Sequence, residues 1–262
     1  MAAGIRAVLE VADLIDVVIE VRDARVPAAT SVADEHPRLK RKPRIVLLNR
    51  ADLAEDAATA AWLRSLTSKG EARPTAGAGA PSAFATVATR AATVRAVRSD
   101  LLARPRKRGV LRAAVIGAPN TGKSSVINAL SRHKRAVVAD RAGVTRHVRW
   151  LKLEQGVELL DTPGLLPPRI VSEESAWQLS LCGSLPETAF DVEETVAHLE
   201  RWLGSHRRAL AAAADLDAFA AARGMRRRGG ELDRRNAARK FVSLFRAGEL
   251  FRLTFELPEN RA

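Results

Sequence analysis

The chain has 262 residues and carries 43 lysine and arginine side chains against 30 acidic ones, a formal net charge of +13, with one cysteine and no tyrosine. The single cysteine excludes a disulfide framework and a cysteine-built zinc site, and no apolar run approaches the roughly 20 residues of a membrane-spanning helix. The charge points to a polyanionic partner, nucleic acid ahead of an anionic membrane surface, although a composition this rich in Ala and Arg is also what a GC-rich coding sequence produces.

Residues 1–10 are too polar for a signal-peptide core. The first apolar run, 17–21, has the length of a buried strand and ends at Arg22-Asp23-Ala24-Arg25. A second run, 45–48, ends at Asn49-Arg50-Ala51-Asp52 and is followed by a helical pattern over 57–65. Residues 71–82 are rich in Gly, Ala and Pro, a loop signature. A basic linker, 104–109, leads into the run 113–116, which ends at Gly117 and precedes a helix over 123–132. The fourth run, 157–160, meets Asp161-Thr162-Pro163-Gly164. Strands alternating with helices predict an α/β fold with a doubly wound, mostly parallel sheet, whose ligands sit at the carboxyl ends of the strands.

After Pro167-Pro168 the texture becomes helical. Val192, Val196, Leu199 and Leu203 share one helix face, and Ala237, Phe241, Leu244 and Phe245 another. Phe251, Leu253, Phe255 and Leu257 alternate with Arg252, Thr254 and Glu256, which predicts a short strand or an extended tail. The expected division is a nucleotide-binding domain over 1–168 and a helical, basic domain over 169–262.

Gly117-Ala118-Pro119-Asn120-Thr121-Gly122-Lys123-Ser124 fits G-x-x-x-x-G-K-[ST] between a strand and a helix. Its glycines let the backbone N–H groups of the loop, from Asn120, Thr121 and Gly122 into Ser124 and Ser125, curl around phosphate oxygens at the positive end of a helix. Lys123 would reach the β- and γ-phosphates and Ser124 would ligate Mg²⁺. Asp161 would hold Mg²⁺ through water, Thr145 would supply a second hydroxyl to it, and the N–H of Gly164 would sense the γ-phosphate. Lys123, Thr145 and Gly164 are therefore the candidate catalytic groups.

Asn49-Arg50-Ala51-Asp52 resembles the N-K-x-D motif that reads guanine. A carboxylate at Asp52 accepts two hydrogen bonds from the N1–H and N2–H₂ edge that adenine lacks, and the Asn49 amide addresses the N7 side. Arg50 stands where lysine is usual, and its guanidinium can also stack on a base. A base-contacting loop should follow, with 75–79 as the candidate. Farther on, Arg223, Arg226, Arg227, Arg228, Arg234, Arg235, Arg239 and Lys240 cluster in one segment without interleaved aromatics. That pattern suits the phosphate backbone of structured RNA better than stacking on single strands. A solvated helix face is the other reading.

The guanine motif here precedes the phosphate loop, the reverse of the usual order. With that order, and with Asp23-Ala24-Arg25-Val26-Pro27, Asp140-Arg141, Gly143-Val144-Thr145, Trp150 and Leu159-Leu160-Asp161-Thr162-Pro163-Gly164, the chain resembles the ribosome biogenesis GTPase A (YlqF-type) family of circularly permuted GTPases. The resemblance runs to about residue 255. It implies a permuted Ras-like domain, a small helical C-terminal domain, and GTP/GDP and Mg²⁺ as ligands, with K⁺ held through Asn120. It also implies slow GTP hydrolysis stimulated by a large ribosomal subunit precursor, whose rRNA and ribosomal proteins are the expected partners during late assembly. Neither DNA nor stable membrane contact is implied; a cytoplasmic monomer is. Two departures stand out. Leu165 occupies the place of the water-orienting Gln of Ras-like enzymes, which the family also lacks. The family's Pro-Gly-His-Met stretch is met only at its Met, Met1, so the expectation is a start farther upstream. The alternative is a GTP-gated RNA-binding module with little hydrolysis, in which His147 is the nearest substitute for the missing histidine.

Overall fold

The computed structural model describes residues 8–68, 72, 83–86, 90–106, 109–131, 137–139, 149–161 and 170–258. The chain divides into two compact units, Met1–Arg169 with Leu253–Ala262, and Ile170–Arg252. Residues 253–258 thus belong with the first unit, whereas the expected helical domain ran over 169–262.

In the first unit, strands β1 (Val17–Asp23), β2 (Arg44–Asn49), β3 (Ala83–Ala85), β4 (Leu111–Ile116), β5 (Val137–Ala139), β6 (Arg149–Lys152) and β7 (Val157–Asp161) form one sheet in the order β3-β2-β1-β4-β7-β6-β5. The five strands from β3 to β7 in that order run parallel, β6 runs antiparallel to β7, and β5 antiparallel to β6. Its longer helices are α1 (Asp56–Ser68), α2 (Ala91–Ala103) and α3 (Lys123–Ser131). The spatial order carries the permutation: strands that precede β4 in the chain lie on one side of it, and strands that follow lie on the other.

All seven residues of β1 and all six of β2 are buried, which explains why both read as mainly apolar. Alternate positions serve opposite faces. Val17, Ile19, Val21, Ala113 and Val115 pack with Val97, Leu101, Val126, Ile127 and Leu130 of α2 and α3. Val18, Ala114, Ile116 and Leu160 face Val8, Val11, Ile15 and Leu39 instead. Glu20 and Arg22 lie within β1 ahead of Asp23 at its end, and they are matched: Arg22 meets Glu20 at 2.8 Å, and Arg44 of β2 meets the same carboxylate at 3.3 Å. Burial opposes ionisation of Glu20. The two guanidiniums and the N–H groups of Ala33 and Val32 outweigh it and hold the carboxyl below its ordinary range.

The second unit is helical: α4 (Glu173–Cys182), α5 (Val192–His206), α6 (Leu216–Ala222) and α7 (Arg234–Ala247). Each starts on a side-chain cap, from Ser172, Asp191, Asp215 and Asp233 in turn, that accepts a backbone N–H of the first turn. Two of them, α4 and α7, end at left-handed glycines, Gly183 and Gly248. Val196, Leu199 and Leu203 of α5 are fully buried, as are Phe241 and Phe245 of α7, and Phe219 meets Phe241 edge-on at 5.2 Å. No helix among the described residues is long and apolar enough to cross a membrane.

Candidate functional site

The carboxyl ends of β1, β2 and β4 gather three sequence-distant segments. From β4 the chain turns at Gly117, where the backbone (φ +153°) passes so near β1 that a Cβ would lie 2.3 Å from the Val21 carbonyl. The loop then reaches Asn120, which adopts a left-handed conformation (φ 56°) that Asn tolerates. Thr121 is buried, and its hydroxyl donates to the Ala118 carbonyl at 2.9 Å. Gly122 follows with φ +97°, and helix α3 begins at Lys123. The Lys123 ammonium folds back over the loop and donates to the Ala118 carbonyl at 2.5 Å. Ser124 and Ser125 are exposed on the first turn of α3. This is a backbone-lined cradle at a helix N-terminus, the electrostatic setting for an anion.

Asn49 ends β2 and is buried, and its amide donates to the Thr121 carbonyl at 2.7 Å. The approach is so close that a Cβ on Gly122 would sit 2.1 Å from the Asn49 amide nitrogen. Asn49 Oδ1 is buried and has no hydrogen-bond partner among the described residues. Arg50 (φ 59°) donates to the Asn120 carbonyl at 2.6 Å and lies 3.5 Å from Asp23. Ala51 is half-buried, its N–H bound to the Thr86 carbonyl, whereas Asp52 is exposed. Arg50, Pro119, Asn120, Gly122, Lys123, Ser124 and Ser125 line a solvent-open cleft.

Asp23 was read only as part of a family signature, yet it organises this corner. Its carboxylate is fully buried and accepts from Nε and Nη2 of Arg25, at 3.0 and 2.8 Å, besides facing Arg50. Burial works against its charge, but Arg25 and then Arg50 hold its pKa below the ordinary value. Thr86 was missed altogether. It follows β3, is buried, and its carbonyl receives the Ala51 N–H beside the guanine motif; the candidate 75–79 lies outside the described residues. The available signal was the short Ala83-Phe84-Ala85 run emerging from the Gly- and Pro-rich loop. Thr145, His147, Gly164, Leu165 and the side chain of Asp161 also lie outside the described residues; the Asp161 backbone ends β7 and pairs with Val115.

In the second unit the arginine cluster does not form one helix face. Arg226 and Leu232 bridge across a tight turn through Gly229 and Gly230, and α7 starts after it. Arg226 donates to the Gly230 carbonyl, Arg227 pairs with Asp233 at 3.5 Å, and Arg234 is held by Asp217. Arg223 caps the Phe219 ring at 3.8 Å. Arg228, Arg235, Arg239 and Lys240 are exposed, and among the described residues they make no ion pair. Residues 170–252 hold thirteen basic and twelve acidic side chains, so the positive surface there is local and most of the net charge belongs to the first unit.

A family model described as "50S ribosome-binding GTPase" matches residues 112–214. Ribosome biogenesis GTPase A from Bacillus cereus is 31% identical over 99% of this chain and 92% of its own length. The protein of the same name from Thermotoga maritima is 32% identical over 97% of this chain and 91% of its own length. Among solved structures, the GNP-bound YlqF from Thermotoga maritima superposes with a TM-score of 0.71 at 30% identity, covering 98% of this chain and 99% of that one.

Proposed function

The chain belongs to the ribosome biogenesis GTPase A family, a family of GTP-binding GTPases of ribosome assembly, and from that premise we propose that it acts late in assembly of the large ribosomal subunit, binding the precursor's rRNA in its GTP-bound state and leaving after hydrolysis. One observation carries the guanine-nucleotide part of this reading: Asn49 is locked to Thr121 at 2.7 Å, which sets the base motif and the phosphate loop around one cleft.

In this reading Asp52 reads the N1–H and N2–H₂ edge of the base, Asn49 addresses its N7 side, and the Arg50 guanidinium covers a face. The N–H groups from Asn120 to Ser125 hold the β-phosphate, and Lys123 leaves the Ala118 carbonyl for phosphate oxygens. Mg²⁺ supplies charge neutralisation on the β- and γ-phosphates when bound, and the Ser124 hydroxyl, Thr145 and Asp161 are the residues that would hold it. Asn120 would contribute to a K⁺ site, and the Gly164 N–H would meet the γ-phosphate. Such a site works by positioning and by placing positive groups where charge develops, so it turns over slowly until a partner completes it. Arg228 and Arg235, with Arg226, Arg227 and Arg234 in their structural ion pairs and turn contacts, form the surface proposed to face rRNA.

Co-sedimentation with large ribosomal subunits tests the reading. The chain is expected to pellet with subunits in a non-hydrolysable GTP analogue and to stay in the supernatant in GDP. Equal pelleting in both nucleotides would overturn GTP-gated binding.

A further inference from the structure

The alternating tail of the chain does not form a strand; it runs as an extended strap over the first unit. Leu253, Thr254 and Phe255 are buried there. Its hydrogen bonds go to two loops and one helix, and both loops lead back to the base side of the cleft.

The first loop follows β2. The Leu53 N–H closes the turn onto the Arg50 carbonyl at 2.9 Å, so Leu53 finishes the guanine motif, and its own carbonyl accepts from the Leu253 N–H of the strap at 3.1 Å. Two residues on, Glu55 and Thr254 form a reciprocal pair. The Thr254 hydroxyl oxygen accepts the Glu55 N–H at 3.0 Å, and the Thr254 N–H donates to the Glu55 carboxylate at 3.2 Å. The second loop follows β1. The Phe255 N–H donates to the Arg25 carbonyl at 2.9 Å, and the Glu256 carboxylate accepts the N–H groups of Ala28 and Ala29 at 2.5 and 3.0 Å. Trp62 of α1 donates its indole N–H to the Glu256 carbonyl at 2.7 Å. The strap thus grips both ends of one link: it bonds the carbonyl of Arg25, whose side chain pairs with Asp23, and it bonds Leu53, just after Arg50, which faces the same Asp23 carboxylate.

We propose that the strap is a third part of the guanine-reading corner, with Thr254 and Glu256 as positioning residues that hold Arg50 and Asp52 in the geometry for the base. This rests on the reading of Asn49-Arg50-Ala51-Asp52 as the guanine motif. Exposed Asp52 sits at the end of a turn with few ties of its own, and a carboxylate discriminates between bases only when its two oxygens are fixed. The strap supplies that fixing from outside the motif. Neither residue touches the cleft, so the effect belongs to base selectivity and not to phosphate chemistry.

The test compares GDP with IDP, which lacks the 2-amino group that Asp52 would accept from. Affinities of both are measured by calorimetry for the full chain, for Thr254→Val, Glu256→Ala, Glu256→Gln and Asp52→Asn, with thermal unfolding of each in parallel. Thr254→Val keeps the buried shape and removes only the hydroxyl. Thr254→Val and Glu256→Ala are expected to cut the GDP-over-IDP preference by roughly 3- to 10-fold, the range of a lost or misplaced hydrogen bond. Glu256→Gln, whose amide oxygen still accepts from Ala28 and Ala29, is expected to retain the preference. An unchanged preference in Thr254→Val and Glu256→Ala, whatever happens to stability, would overturn the strap's role provided Asp52→Asn loses it. If Asp52→Asn also keeps the preference, the guanine reading itself is wrong.

Discussion

At the scale of single residues, the site depends on how closely two backbones and one amide approach. Gly122 is required twice, by its φ of +97° and by the Asn49 amide, which leaves no room for a methyl group. A Gly122→Ala chain should fold with a small stability loss, of about 1–2 kcal/mol. Asn49 must then move, and GDP affinity should fall by at least about 10-fold; equal affinity in a fluorescent-GDP titration would show that the interlock is not needed. The pairing of Arg50 with Asp23 is a local feature of another kind. An arginine can reach both the Asn120 carbonyl and the Asp23 carboxylate because its planar fork offers several donors, where a lysine offers one point charge.

At the scale of elements, buried polar groups in β1 and the strap carry the pH behaviour. Glu20 and Asp23 are held ionised by arginines, so their stability contribution is present at neutral pH and is lost on acidification. Glu256 has the opposite sign. Burial pushes its pKa up to about 7, against the pull of the Ala28 and Ala29 N–H groups and of Arg22, and with Asp23 adding to the rise. The folded chain therefore binds more protons there than the unfolded chain between about pH 4.5 and 7, and the strap's contribution shrinks as pH rises through that window. Glu256→Gln should gain stability relative to the parent between pH 5 and pH 8. The gain should be on the order of 2 kcal/mol, less than the full shift allows because the carboxylate is partly exposed. Urea unfolding at both pH values measures it; a constant difference between the two proteins would remove Glu256 from the account.

At the scale of the whole molecule, the chain leaves the first unit after residue 169 and re-enters it at Leu253, so the helical unit is an insertion with two covalent links. One link follows Asp161-Thr162-Pro163-Gly164, and the other is the strap beside Leu53. The near balance of charge within 170–252 makes any RNA contact there a matter of a few exposed arginines rather than of bulk attraction. Replacing Arg228, Arg235 and Arg239 by Glu together should weaken pelleting with large subunits and lower its salt dependence while GDP affinity stays unchanged. Replacing Arg227 and Arg234 should weaken pelleting as well, with a small added loss of stability, since each also serves an exposed ion pair. Parallel loss of subunit and nucleotide binding in the triple variant would count against a separate RNA surface.

The sequence by itself determined the fold class, the order of the motifs and the four central strands. Strands buried on both faces must read as apolar runs, and a phosphate loop needs glycines at fixed spacing. It did not reveal β3, β5 or β6, which have three or four residues each and too little periodicity to separate from loops. Nor did it place the arginines, because charge counts do not distinguish Arg234, tied to Asp217, from exposed Arg235. Only the tertiary structure brought Asp23 to Arg50, Thr86 to Ala51 and Thr254 to Glu55. These are contacts between segments from 27 to 199 residues apart, where local propensity carries no information and packing of the whole sheet sets which side chains meet.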